Sequence, residues 1–398
     1  MDKIEEILTR GVANIIPGKE QLEKILRSGK KMNIYLGIDP TATKIHLGHA
    51  VPLRKLAEFA NLGHNVTFLI GDFTALVGDT SDKESERPIL TPREIEENFK
   101  TYKQQAEKIL DFSRIKIRKN SQWLSSLTYA EVFKLKQQFS LNDFISRELI
   151  KKRLNAGKTI RLDETEYPIM QGYDSYFMDT DLQIGGTDQT FNMQAGRTLQ
   201  KKLRNKESFV LTTEFLTGTD GRKMSKSWGN AIWLNDNPND MYAKVMAIKD
   251  SLIIQYFTLA TNVPLTEITS IKSKLEKGEN PMTIKKLLAE EIVTELYSKK
   301  NAKEAAENFE RTVQKKETPE DIPTYRYIGN KNVNIIDLLI EAKMTISKSD
   351  AKRLVEQGGV ELDNQRITNP NEQVEIENEM IIKVGKRKYV KIRLENSN

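Results

Sequence analysis

Apolar and polar positions in the first third of the chain follow two different periods in turn. Continuous apolar runs at 33–38 (NIYLGI) and 65–73 (NVTFLIGDF) predict buried strands, and 115–118 (IKIR) predicts a third strand. Between them, apolar residues recur at helical spacing. Residues 48–63 (GHAVPLRKLAEFANLG) predict a helix with Pro52 near its start and Gly63 closing it. Residues 91–110 predict a second helix, with Thr91 as N-cap, Pro92 at the first position and acids in the first turn. Alternating strands and helices predict an α/β fold whose strands lie parallel, joined by right-handed crossovers. Runs at 181–186 (DLQIGG) and 208–215 (SFVLTTEF) extend the same sheet. The polar, mostly helical stretch 122–165 reads as an insertion.

Beyond 232 the strand signal fades and helical periods take over, as in 282–313. This predicts a first domain over 1–232, an α-helical domain over 233–322 and a small α+β domain over 333–398. Prolines and polar residues mark 323–332 as the linker before that last domain. Its elements read as two helices, a turn at Gly358-Gly359, then strands.

Composition narrows the function classes. The chain has 398 residues, too many for one core, with 38% hydrophobic and 30% charged positions. No apolar run reaches the ~18 residues of a membrane span, and the acid-containing start, MDKIEEILTR, does not read as a secretion signal. The expectation is a cytoplasmic protein. Cysteine is absent, which excludes disulfides, thiolate metal sites and thiol nucleophiles. A net charge of +6 permits a polyanionic partner without demanding one.

Two of the three histidines lie in HLGH, 46–49, where a strand and loop lead into a helix. His46 sits at the helix entry and His49 in its first turn. Gly48 between them lets a ligand approach the backbone. Imidazole N–H groups at a positive helix end suit a phosphate. A metal site is disfavoured, since His64 is the only other histidine. No G-x-G-x-x-G follows a strand and no P-loop motif occurs, which weighs against dinucleotide and P-loop enzymes. A second basic device lies in LTGTDGRKMSKSWGN, 216–230, where glycines flank Lys223 and Lys226. Such lysines can follow charge that moves during a reaction. In YPIMQGYD, Tyr167, Gln171 and Asp174 stand at i, i+4 and i+7, on one helix face.

PTATKIHLGH (40–49) and KMSKS (223–227) resemble the two signature motifs of class I aminoacyl-tRNA synthetases. YLGIDPTATKIHLGHAVPLRKL, GDFTALVGD, YPIMQGYDSY and LQIGGTDQTFN extend the resemblance, over nearly the whole chain, to the bacterial-type tyrosyl enzymes of that family. It implies a Rossmann-like catalytic domain and activation of L-tyrosine by ATP, followed by transfer to tRNA(Tyr). Tyr35 and Asp174 are then expected at the substrate phenol, Tyr167, Gln171 and Asp79 at its ammonium group, and Gln189 near its carboxylate. Gly37, Asp39, Thr41, Gly48, Gly185, Asp188 and Ser227 are expected around the nucleotide. His46 and His49 would steady the phosphates, and Lys223 and Lys226 would follow departing pyrophosphate. The tryptophanyl enzymes share both signatures and form the alternative, which the pairing of Tyr35 with Asp174 and the C-terminal segment disfavour. Magnesium is expected with ATP, with no protein metal cage and no organic cofactor. A homodimer is also implied, with the insertion at its interface. The chain departs from the family in carrying GDTSD at 78–82 in place of GDPSG, and Tyr35 where phenylalanine is often found.

The last segment resembles the small RNA-binding domain first known from the fourth protein of the small ribosomal subunit. Its charge is nearly balanced, so placement matters more than sum. Lys348, Lys352 and Arg353 on one predicted helix, with Lys386 and Arg387 on a basic strand, would meet tRNA phosphates.

Overall fold

The structure, a computed structural model, describes residues 2–79, 90–225, 228–314, 322–385 and 388–394. These form two compact units, 1–305 and 306–398.

The first unit is built on a six-stranded sheet. Its strands are β1 (Val12–Ile16), β2 (Asn33–Ile38), β3 (Asn65–Ile70), β4 (Ile115–Lys119), β5 (Leu182–Gly186) and β6 (Phe209–Thr213), in the order β1-β6-β5-β2-β3-β4. The strands β2 to β6 are mutually parallel, as the alternating pattern predicts. The edge strand β1 runs antiparallel to β6. It is the one strand of this sheet that the hydrophobic pattern does not reveal. Only Ile15 of its five residues is buried, so no apolar run marks it.

The core explains why β2, β3, β5 and β6 read as apolar runs. Ile34, Leu36, Val66, Phe68, Ile70, Leu182, Ile184 and Leu211 are buried together with Leu53, Leu56 and Phe59 of the helix Leu47–Asn61. Helices cover a parallel sheet on both faces, so its strands have no polar side to show. The helix Pro92–Ala106 starts as expected, with a capping box between Thr91 and Glu94. The 122–165 stretch holds the short helices Tyr129–Lys136, Leu141–Ile145 and Glu148–Asn155.

The helices that follow 232 do not form a unit of their own. The buried Arg10 guanidinium joins them to the sheet by donating to the carbonyls of Phe257, Thr258, Thr261 and Val263, at 2.7–3.1 Å. Arg54, on the Leu47–Asn61 helix, adds an ion pair with Glu295 at 2.6 Å. A change from strand to helix text need not be a domain boundary when one element can lean its apolar stripe on another's. Among the described residues no helix is long and apolar enough to cross a membrane.

In the second unit, strands β7 (Thr324–Tyr327), β8 (Asn332–Asn334), β9 (Val360–Leu362), β10 (Gln365–Ile367), β11 (Gln373–Glu375), β12 (Ile381–Val384) and β13 (Lys388–Leu394) accompany helices Ile335–Glu341 and Lys348–Glu356. Five strands form one sheet, in the order β10-β9-β12-β13-β7, while β11 pairs with β8. Residues 323–332 therefore do not form a linker. Strand β7 pairs in parallel with β13, and Tyr327 is buried in this unit's core. Its polar, proline-flanked text hides a strand because only one of its four positions is buried.

Candidate active site

The chain leaves β2 to build β3 and β4 on one side, then returns to place β5 and β6 on the other. The order reverses between β2 and β5, and a parallel sheet opens its ligand crevice at the carboxyl ends of such strands. A cleft of about 930 Å³ lies there. Every described residue expected at the nucleotide or the amino acid lines it: Gly37, Asp39, Thr41, His46, Gly48, His49, Gly185, Asp188 and Lys223, together with Tyr35, Asp79, Tyr167, Gln171, Asp174 and Gln189. Lys226 and Ser227 lie outside the described residues, as do Thr80 to Asp82 of the divergent GDTSD.

At one end the two histidines stand at the start of the Leu47–Asn61 helix, with His46 as its N-cap. Their rings stack at 3.8 Å. His49 Nδ1 accepts the His46 backbone N–H at 3.3 Å, which leaves the His49 proton on Nε2. Burial, then the neighbouring His49 and Lys223, push the His46 imidazole down to about 2, so it is neutral. The His46 ring is therefore a neutral hydrogen-bond donor and not a fixed cation. A Cβ at Gly48 would stand 3.0 Å from the His46 ring and crowd it. Lys223 reaches the same region. Its Nζ is 3.8 Å from Asp188 Oδ2 and lies over the Phe215 ring at 5.0 Å.

The other end is deeper and drier. Asp174, on the helix Tyr167–Phe177, is 2% exposed. Trp123 Nε1 donates to its Oδ1 at 2.7 Å and Asn120 Nδ2 to its Oδ2 at 3.2 Å. Burial outweighs both bonds and raises the carboxyl to about 8. Tyr35 lies opposite Gln183 in the sheet register, and its hydroxyl donates to Gln183 Oε1 at 3.1 Å. Burial pushes this phenol well above its ordinary range.

Between the ends, carboxylates and amides interlock. Tyr167 Oη donates to Asp39 Oδ2 at 2.9 Å, and Thr74 Oγ1 to Asp39 Oδ1 at 2.8 Å. Gln189 Nε2 donates to Asp79 Oδ2 at 2.6 Å. A ligand ammonium and carboxylate would find a ready-made set of partners here. Among the described residues, no three or more acidic or imidazole groups gather as a metal site would require.

Sequence reasoning missed Asn120, Trp123, Thr74 and Gln183. Asn120 and Trp123 directly follow β4, at the carboxyl end of a parallel strand, and that position was a usable signal. Gln183 shows its role only through strand register, which the sequence does not state.

In the second unit, Lys348, Lys352 and Arg353 are exposed on the helix Lys348–Glu356, each within reach of an acid. Lys348 meets Asp337 at 2.7 Å, Lys352 meets Glu356 at 3.9 Å, and Arg353 meets Asp350 at 2.6 Å. Exposed pairs of this kind are weak and readily exchanged for a phosphate. Lys386 and Arg387 lie outside the described residues.

Comparison with known proteins gives this geometry a family. Residues 27–314 match the family of tRNA synthetases class I (W and Y), and residues 314–392 match the tyrosine–tRNA ligase SYY-like C-terminal domain. The tyrosine–tRNA ligase of Thermotoga maritima is 44% identical over 389 residues, spanning 97% of this chain and 96% of that one. That of Dehalococcoides mccartyi is 43% identical, over 98% of both chains. A truncated mitochondrial tyrosyl-tRNA synthetase from Aspergillus nidulans, 23% identical, shares the fold with a TM-score of 0.66 over 77% of this chain and 92% of its own. The first match spans tryptophan and tyrosine enzymes alike, whereas the C-terminal match and the full-length relatives select tyrosine. The chain belongs to the class I tRNA synthetases and, within them, to the tyrosine–tRNA ligases.

Proposed function

We propose that this protein activates L-tyrosine with ATP to tyrosyl-adenylate and pyrophosphate, then transfers the tyrosyl group to the 3′ end of tRNA(Tyr). The observation that carries the reading is the single cleft. It has a dry end built around a buried carboxyl and an open end furnished with imidazoles and a lysine. No side chain acts as a covalent nucleophile. The tyrosine carboxylate attacks the α-phosphate directly, so catalysis is positioning and charge stabilisation.

The substrate phenol goes to the dry end. Asn120 and Trp123 already donate to the two Asp174 oxygens. The remaining proton or lone pair of that carboxyl is left for the tyrosine hydroxyl. Phenylalanine would leave it unpaired at a buried position, which costs more than the bond gains. Tyr35, held by Gln183, closes the same end. The ammonium group meets Tyr167, Gln171 and Asp79, and the carboxylate lies near Gln189. Gly37 and Gly185 present bare backbone, with Asp39, Thr41 and Asp188 alongside, to ribose and adenine. His46 and His49 donate to the phosphates, and Lys223, with Lys226 and Ser227, tracks pyrophosphate as it leaves. The magnesium that accompanies ATP is carried on the phosphate oxygens, which supply most of its ligands. The C-terminal unit binds tRNA through Lys348, Lys352, Arg353, Lys386 and Arg387. The protein works as a cytoplasmic homodimer. Exposed Tyr129, Phe133, Leu141 and Leu154 of the insertion support an apolar interface there.

Three outcomes test this account. Replacing Lys223 by Ala lowers the rate of tyrosine-dependent ATP–pyrophosphate exchange by roughly 10²–10³-fold, the scale of one lost charge-stabilising donor. Its tyrosine dissociation constant stays near the parent value; a weakened tyrosine affinity with an unchanged rate contradicts the assignment.

Asp174 predicts a pH dependence. Its carboxyl keeps its proton up to about pH 8 when folded and loses it near pH 3.8 when unfolded. The unfolded chain therefore releases a proton that the folded one holds, and this site makes stability fall as pH rises between those limits. In Asp174→Asn that slope is gone. Urea denaturation at pH 5 and pH 8 shows the variant gaining on the parent, while calorimetry shows tyrosine affinity lost and ATP affinity kept.

Combining Lys348→Ala, Lys352→Ala and Arg353→Ala leaves exchange intact but weakens tRNA binding. The slope of log affinity against log salt becomes shallower by about 2–3, as three lost phosphate contacts require. Unchanged affinity and slope would show that this helix does not meet tRNA.

A further inference from the structure

The histidine and lysine segments are remote in sequence and joined by one short stretch. Leu47 N–H donates to Ile232 O, and Leu234 N–H to Ile45 O, both at 2.9 Å. His46 and Trp233 form an antiparallel bridge, with their rings 5.7 Å apart. The first helical N–H thus finds its partner in residues that directly follow the lysine turn.

Asn230 stands at the junction and is 3% exposed. Its Nδ2 donates to Asp220 Oδ1 at 2.8 Å and to Lys223 O at 3.2 Å. Its Oδ1 accepts the Ser225 N–H at 2.9 Å, and its backbone carbonyl accepts the Thr219 N–H at 3.1 Å. Asp220 is fixed in turn by the Arg222 backbone and guanidinium, at 3.0 and 2.7 Å. Gly218 packs on the amide so closely that a Cβ would lie 2.4 Å from Asn230 Cγ and Nδ2. Both amide protons and the amide oxygen are used, as a buried asparagine requires. Aspartate at this position would lose both donors and face the Asp220 carboxylate. Asn230 is not among the residues that line the cleft, whereas Lys223 is.

We propose that Asn230 is a positioning residue for adenylate formation: its amide ties the Lys223 turn to the stretch that pairs with His46, holding lysine and histidines in register around the ATP phosphates. The inference rests on the adenylation reading above. It makes Asn230 act through Lys223, with no contact of its own to substrate.

The test uses the full chain carrying Asn230→Ala, Asn230→Asp, Gly218→Ala, or Gly218→Ala with Asn230→Ala. Each is assayed for tyrosine-dependent ATP–pyrophosphate exchange, with thermal midpoints alongside. Both Asn230 variants lower kcat by roughly tenfold or more, the scale of one or two lost hydrogen bonds. The tyrosine KM stays within about twofold, because the Asp174 end is untouched. Gly218→Ala lowers kcat in the parent and by less in Asn230→Ala, where the clash with the amide is gone and only that with the Asn230 carbonyl, at 2.9 Å, remains. Parental kcat in folded Asn230→Ala and Asn230→Asp overturns the proposal, as does a rise in tyrosine KM that matches the loss of kcat, which marks a general structural role. If Asn230→Ala does not fold, the near-isosteric Asn230→Asp carries the test alone. A parent with no tyrosine-dependent exchange refutes the adenylation reading instead, so the two failures are told apart.

Discussion

The pairing of β2 with β5 is the constraint on which the rest depends. Ile34, Tyr35 and Leu36 lie in parallel register with Leu182, Gln183 and Ile184. This pairing joins two halves of a sheet that the chain builds in opposite directions. It brings Gly37, at the end of one strand, and Asp39, just past it, beside Gly185, at the end of the other, and Asp188, just past that one. It also sets Tyr35 against Gln183. A slip of one residue would turn Tyr35 to the opposite face and take it out of the cleft. The helices that carry His46, Asp174 and Gln189 then need only pack on this frame for their side chains to meet.

The cleft's two ends work by opposite electrostatics. At the dry end, Asp174 is held by two donors yet keeps its proton to about pH 8, because burial outweighs them. A neutral carboxyl can sit there without a counter-cation and still demand a hydroxyl partner. At the open end, His46 is neutral and the mobile charge is left to lysine, which water can reach. On the reading proposed above, recognition falls where solvent is excluded, and charge handling where a departing anion can escape.

Much of this was legible in the text of the chain. Four of the five parallel strands, β2, β3, β5 and β6, read as apolar runs because both sheet faces are covered there, while the edge strand β4 alternates apolar and basic residues. HLGH and KMSKS could be paired because together they resemble the two signature motifs of the class I aminoacyl-tRNA synthetases. Tyr167, Gln171 and Asp174 share a helix face, and spacing shows that directly. What stayed hidden depends on partners that spacing does not specify. Strand β1 is mostly exposed and carries no apolar run. Strand β7 looks like linker because one residue, Tyr327, does its packing. Asn120 and Trp123 matter only because the fold delivers Asp174 to them. The helices after 232 look separate in composition, and the bonds of Arg10 and Arg54 show that they belong with the sheet.

The central claim is that this cleft reads the phenol of tyrosine and activates the carboxylate of the same molecule. Exchange of labelled pyrophosphate into ATP, measured with purified protein and tyrosine, phenylalanine or tryptophan in turn, tests it most directly. The account predicts rapid exchange with tyrosine and rates near background with the other two, since neither offers a hydroxyl to Asp174. Comparable exchange with tryptophan, or none with tyrosine, would contradict it.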